Sequence, residues 1–107
     1  MLADEILKIC KTFDASLELK YNKYYIGFAR SGIAFNFGSC HPRKSAMNLS
    51  LKIPRSDEID QKLEQSRLEL LEYARWGAYR LKLDAQSIVG QRELIESLLR
   101  QAYEQKR

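Results

Sequence analysis

The chain has 107 residues, 45% hydrophobic and 10% aromatic, which fits one globular domain over residues 1–107 and excludes a disordered chain. No charge-free run approaches the roughly 20 residues of a membrane-spanning helix, and Asp4 and Glu5 stand where a secretory leader would be basic, so a soluble cytoplasmic protein with no membrane partner is expected. The net charge is +4, and Cys10 and Cys40 are too few for the disulfide framework of a small secreted fold.

In chain order, Leu2, Ile6, Ile9 and Phe13 recur at spacings of three and four, which predicts an amphipathic helix over residues 2–13. From Ser16 the period becomes two. Leu17, Leu19 and Tyr21 point inward and Glu18, Lys20 and Asn22 outward, the pattern of a half-buried strand. The alternation returns in Tyr24, Ile26 and Phe28 and again in Ile33, Phe35 and Phe37, and Ser31-Gly32 between them is a hairpin signal. Residues 38–45 read as a loop. Met47, Leu49, Leu51 and Ile53 then alternate with Asn48, Ser50 and Lys52 until Pro54 stops the strand. Ser56 or Asp57 caps a second helix, whose stripe of Ile59, Leu63, Leu70 and Ala74 carries it to about Arg75. After Gly77, Tyr79, Leu81 and Leu83 point inward and Arg80 and Lys82 outward, and Leu94, Ile95, Leu98, Leu99 and Ala102 mark a last helix.

The predicted order is α-β-β-β-β-α-β-α, an α+β domain with an antiparallel sheet of about five strands and its helices on one face. The other face is left to water or a partner. No repeat, low-complexity tract or linker divides the chain.

Charge singles out that open face. No acidic residue lies between Glu18 and Asp57, while Lys20, Lys23, Arg30, Arg43, Lys44, Lys52 and Arg55 do. Lys20, Lys52, Arg80 and Lys82 fall on outward strand positions beside Asn22, Asn48 and Ser50, and His41-Pro42-Arg43-Lys44 adds two adjacent cations. Such a surface suits a phosphate backbone. Outward lysines also serve solubility and edge protection, so the bland reading stands beside the functional one. Tyr21, Phe28, Phe35 and Phe37 read as core, and Tyr25 as the stacking candidate. Trp76 reads as a core plug closing the second helix.

No catalytic, cofactor or metal constellation is written in the chain. His41 is the lone histidine and Cys40 is its sequence neighbour, an arrangement in which adjacent side chains seldom face each other. Asp57, Glu58, Asp60, Glu64, Glu69 and Glu72 read as the solvated face of the second helix. An enzyme would need a deep pocket holding groups such as Glu72, Trp76 and Tyr103.

Several segments together carry a family resemblance over nearly the whole chain: Lys23-Tyr24-Tyr25-Ile26-Gly27-Phe28, Asn36-Phe37, Pro42-Arg43-Lys44, Leu49-Ser50-Leu51, Trp76-Gly77 and residues 98–104, LLRQAYE. The chain resembles an uncharacterised domain family often found at the C-terminal end of restriction-type nucleases and of chains labelled "predicted transport protein". That family usually has a glycine and acidic cluster around its Trp-Gly, whereas Glu72-Tyr73-Ala74-Arg75 precedes it here. A fainter likeness is to the MmcQ/YjbR proteins, which have a suspected DNA-binding fold. The resemblance implies an accessory module that binds nucleic acid or a partner protein in defence against foreign DNA.

The sequence thus leads to a non-catalytic domain binding DNA or RNA, with Lys23, Arg43, Lys44, Lys52, Arg80 and Lys82 on phosphates and Tyr25 on a base. The alternative is a protein-interaction or homodimerisation module that uses a sheet edge or apolar patch instead.

Overall fold

The computed structural model describes residues 1–106. Within them the helices are α1 (Leu2–Cys10), α2 (Asp57–Glu64), α3 (Ala85–Gly90) and α4 (Arg92–Lys106). The strands are β1 (Leu17–Tyr21), β2 (Ile26–Arg30), β3 (Ile33–Ala34), β4 (Gly38–Arg43), β5 (Ala46–Leu51), β6 (Glu69–Ala74) and β7 (Ala78–Leu83). All pairings are antiparallel, in the order β1-β2-β4-β5-β7-β6, with β3 paired to the end of β2. The α+β class is as the sequence reads, with more strands than expected.

One core joins residues of all four helices, among them Ile6, Ile59, Ile88 and Leu98, to the inward strand positions Phe28, Cys40, Met47, Leu49, Leu51, Leu81 and Leu83. The opposite positions on β4, β5 and β7 contribute nothing to it. The helices therefore share one face and leave the other open. Each start has a local cause. The Ser56 hydroxyl accepts from the Ile59 amide at the head of α2, and Asp84 and Ser87 close a capping box on α3.

Ser31 and Gly32 both have positive φ, 54° and 78°, the two-residue turn whose twist suits a hairpin. Beyond it, the strand expected through Phe37 ends at Ala34. The Asn36 side chain, in place of a backbone carbonyl, accepts the Phe28 amide at 2.8 Å. The chain then steps away from β2, so β4 pairs with it only at Ile26 and Cys40.

Helix α1 ends at Cys10, short of the expected Phe13, and four further expectations are corrected. Residues 38–43 are not loop but β4, joined to β5 by a tight turn at Lys44-Ser45 with Ser45 at φ 61°. The second helix does not reach Arg75. Ser66 donates to the Leu63 carbonyl and accepts the Leu68 amide, closing the helix end, and Leu70 and Ala74 pair with β7 as part of β6. Tyr21 is 63% exposed at the end of the edge strand β1 and not in the core. Trp76, 60% exposed, sits in the turn between β6 and β7 and is not a core plug.

On the helix side, Asp14 gathers four donors: the Ser16 hydroxyl at 2.6 Å and amide at 3.0 Å, the Tyr103 hydroxyl at 2.7 Å and the Arg30 guanidinium at 3.3 Å. Arg30 also lies 4.5 Å from the centre of the Phe35 ring. The Ser16 and Tyr103 bonds, with Arg30 adding to them, hold the Asp14 carboxyl well below the usual carboxylate range. A depressed carboxyl stabilises the fold above its unfolded value of about 3.9, and that contribution is lost as pH falls toward the folded value. Asp14→Asn is expected to lower Tm by about 5 °C at pH 7. Thermal melts of the two proteins should converge in strong acid, and a constant gap down to the acid limit would disprove the assignment.

Candidate functional site: a polar cleft on the open sheet face

Register aligns two polar rows across the open face. Ser39 on β4 lies opposite Ser50 on β5, which lies opposite Arg80 on β7. His41, Asn48 and Lys82 form the next row. These positions alternate with the core residues Cys40, Leu49 and Leu81, so the core-building alternation also composes this surface.

A wall makes the surface concave. Between Leu71 and Ala74 the pairing of β6 with β7 shifts by a bulge, which increases local twist and bends the strand. The turn Arg75-Trp76-Gly77 follows, with Gly77 at φ 94°, a left-handed conformation that glycine adopts without strain. Tyr73 anchors this hairpin by donating to the Ile53 carbonyl at 2.8 Å and packing edge-on against Tyr79. The result is a cleft of about 410 Å³. Its floor is His41, Asn48, Ser50 and Arg80, its rim includes Arg43, and its wall carries Glu72, Arg75 and Trp76.

The floor is built for hydrogen bonding. Asn48 is 7% exposed and Ser50 2%, yet neither the amide nor the hydroxyl has a side-chain hydrogen bond inside the described residues. No fully buried side-chain polar atom among the described residues lacks a partner, so the Asn48 amide and Ser50 hydroxyl reach the cleft, where water or a ligand bonds to them. Ser39 Oγ lies 2.9 Å from His41 Nε2, and Tyr25 stands beside the imidazole with ring centres 6.1 Å apart.

Positive charge converges here. Burial, followed by the charges of Arg43 and Arg80, holds the His41 pKa below its ordinary value. Among the described residues, no carboxylate lies within 4.0 Å of the guanidinium groups of Arg43, Arg75 or Arg80. Glu72 is the acid on the wall. Donors and cations around a concave floor complement an anion carrying several acceptor oxygens.

The residues singled out by sequence separate into groups. Arg43 and Arg80 meet in the cleft, with Tyr25 next to its His41 side. Lys44 is at the exposed tip of the β4–β5 turn. Lys82 lies 4.0 Å from Glu69 on the neighbouring strand, and Lys23 stands over the Tyr24 ring at 5.3 Å. Lys52 lines a different groove, with Gly77, Gln105 and Lys106.

Asn48 and Ser50 were read from sequence only as companions of the outward cations, and His41, Arg75 and Trp76 were not assigned to the site at all. The available signal was that Ser39, His41 and Arg43 alternate with Gly38 and Cys40 as a strand would. Glu72 and Trp76 do share the cleft, whereas Tyr103 is on the helix side with Asp14.

Cys40 points into the core, away from His41. Burial pushes its thiol up to about 12 and raises Cys10 as well, so both stay protonated. Among the described residues, no group of three or more His, Cys, Asp or Glu side chains is placed to hold a metal ion, and no helix is long and apolar enough to cross a membrane. No family model, curated protein or solved structure matches the chain.

Proposed function

We propose that the domain is a non-catalytic module that binds nucleic acid on its open sheet face, centred on the cleft. The observation that carries this reading is the grouping of Arg43, Arg75 and Arg80, all without carboxylate partners, around the exposed indole of Trp76. Arginines bind phosphates, and an exposed aromatic ring stacks on a base of any sequence. Lys44 extends the same field beyond the cleft, Lys82 less so because Glu69 lies 4.0 Å from it, and Tyr25 offers a second ring. An accessory role beside a nuclease, in defence against foreign DNA, fits the same chemistry.

Trp76 is the only tryptophan in the chain, so its fluorescence reports occupancy directly. Titration with a single-stranded oligonucleotide at about 50 mM salt is expected to quench Trp76, and log K should fall by about 0.7 per unit of log[salt] for each phosphate contacted. Trp76→Ala, followed by anisotropy of a labelled oligonucleotide, should weaken binding about 5- to 100-fold. No binding at low salt, together with a mass that grows with protein concentration, would replace this reading with a self-association module.

A further inference from the structure

Resting on that reading, we propose that the cleft recognises the terminal phosphate of a nucleotide, with the phosphomonoester seated on Asn48, Ser50 and Arg80 and the base on Trp76. The distinction between a terminal and an internal phosphate follows from the floor. Ser50 and Asn48 are the most buried polar residues on that floor, 2% and 7% exposed, and among the described residues neither side chain has a protein hydrogen bond, so their polar atoms are open to the cleft. A phosphate carried on one ester arm can project into such a recess. An internal phosphodiester has a sugar on each side, and both hold its phosphate back from groups this far buried.

Charge points the same way. A monoester carries about −1.5 to −2 near pH 7 and offers three terminal acceptor oxygens, against a single negative charge for a diester. Arg80 on the floor and Arg43 on the rim supply two permanent positive charges, with Asn48 and Ser50 as further donors. Glu72 on the wall suits the other end of a nucleotide, where base N–H and sugar O–H groups need an acceptor. A cleft of about 410 Å³ is also within the range of about 300–1,000 Å³ that holds small ligands.

The same ligand chemistry occurs in a free mononucleotide and at a phosphorylated strand end, and the experiment separates them. Trp76 fluorescence is titrated at moderate salt with adenosine, adenosine monophosphate, and one single-stranded oligonucleotide in three forms: 5′-phosphorylated, 3′-phosphorylated and dephosphorylated. At least one terminal phosphate is expected to improve oligonucleotide binding about tenfold or more. Ser50→Ala, a near-isosteric change, should remove most of that increment, so that the phosphorylated and dephosphorylated strands bind the variant with nearly the same affinity. Its Tm is measured alongside, and inorganic phosphate as a competitor tests the unaltered protein.

Equal affinity for all three oligonucleotide forms, insensitive to Ser50→Ala, overturns the terminal-phosphate site and leaves the nucleic-acid reading standing. Monophosphate binding without oligonucleotide binding upholds the cleft and removes that reading. Failure of every ligand at low salt removes both.

Discussion

Arg43→Ala/Arg80→Ala is expected to reduce affinity for single-stranded nucleic acid about a hundredfold or more, since a hydrogen bond to a charged group contributes about 1.5–3 kcal/mol and both arginines face the cleft. The same variant makes a prediction that needs no ligand. Both arginines lower the His41 pKa, so removing them should raise it toward, though not above, its ordinary value, because burial acts in the same direction and persists. NMR titration of the single histidine reads this directly.

The charged and titratable groups around that ring are Arg43 on its own strand, Lys82 and Arg80 on β7, Glu72 and Arg75 on the β6–β7 hairpin, and Tyr25 before β2. An anion seated among them raises the bound-state pKa of His41. Binding then takes up a proton, and affinity rises as pH falls through the interval between the free and bound values. His41→Gln should flatten that slope. An unshifted histidine in the double variant would mean that the guanidinium groups do not converge on it, and the cleft would lose its electrostatic basis.

How much of this was legible depended on whether a segment's signal was local. Met47, Leu49, Leu51 and Ile53 are each at most 1% exposed, because four apolar residues at period two admit one face only. Helix α4 was equally plain from its apolar stripe. β4 was hidden because its inward positions are the small residues Gly38 and Cys40, which give no apolar alternation. What holds it is pairing with β5, six residues long in register. β6 was misread because ELLEYA continues the spacing of α2 after a gap at Ser66 and Arg67. Both helix and edge strand satisfy its pattern, and β7 decides between them.

The cleft shows the same division. Asn48 and Ser50 were placed outward by alternation, but outward was taken to mean solvated. They are buried because β4 and β7 flank them and the bulged β6–β7 hairpin lines the same cleft, a neighbourhood that no single-strand pattern carries. Trp76-Gly77 was taken for a helix end when it is a hairpin turn. That one error moved the indole from the lip of the site into the core. Charge counting identified the correct half of the molecule, yet only register separated Arg43 and Arg80 from Lys23 and Lys52, which lie elsewhere.

The second large effect falls on the fold that holds the floor. Gly38 opens β4 opposite Leu51, and a Cβ there would stand 2.5 Å from the Ser50 carbonyl oxygen and 3.2 Å from Leu51 Cδ2. The first contact is backbone in a central strand and cannot swing aside. Gly38→Ala must therefore move β4 away from β5, with a destabilisation of about 2–3 kcal/mol and a loss of about 10 °C or more in Tm. Gly90→Ala is the matched control. It meets nothing within 4 Å at the end of α3, and alanine is the better helix former, so its Tm should hold or rise slightly. Because Ser39 and His41 ride on β4 while Asn48 and Ser50 ride on β5, the Gly38 variant should also bind nucleic acid more weakly well below its melting temperature. A Gly38→Ala protein that melts with the parent and binds as tightly would show that the two strands are not packed this closely, and that the cleft does not depend on their register.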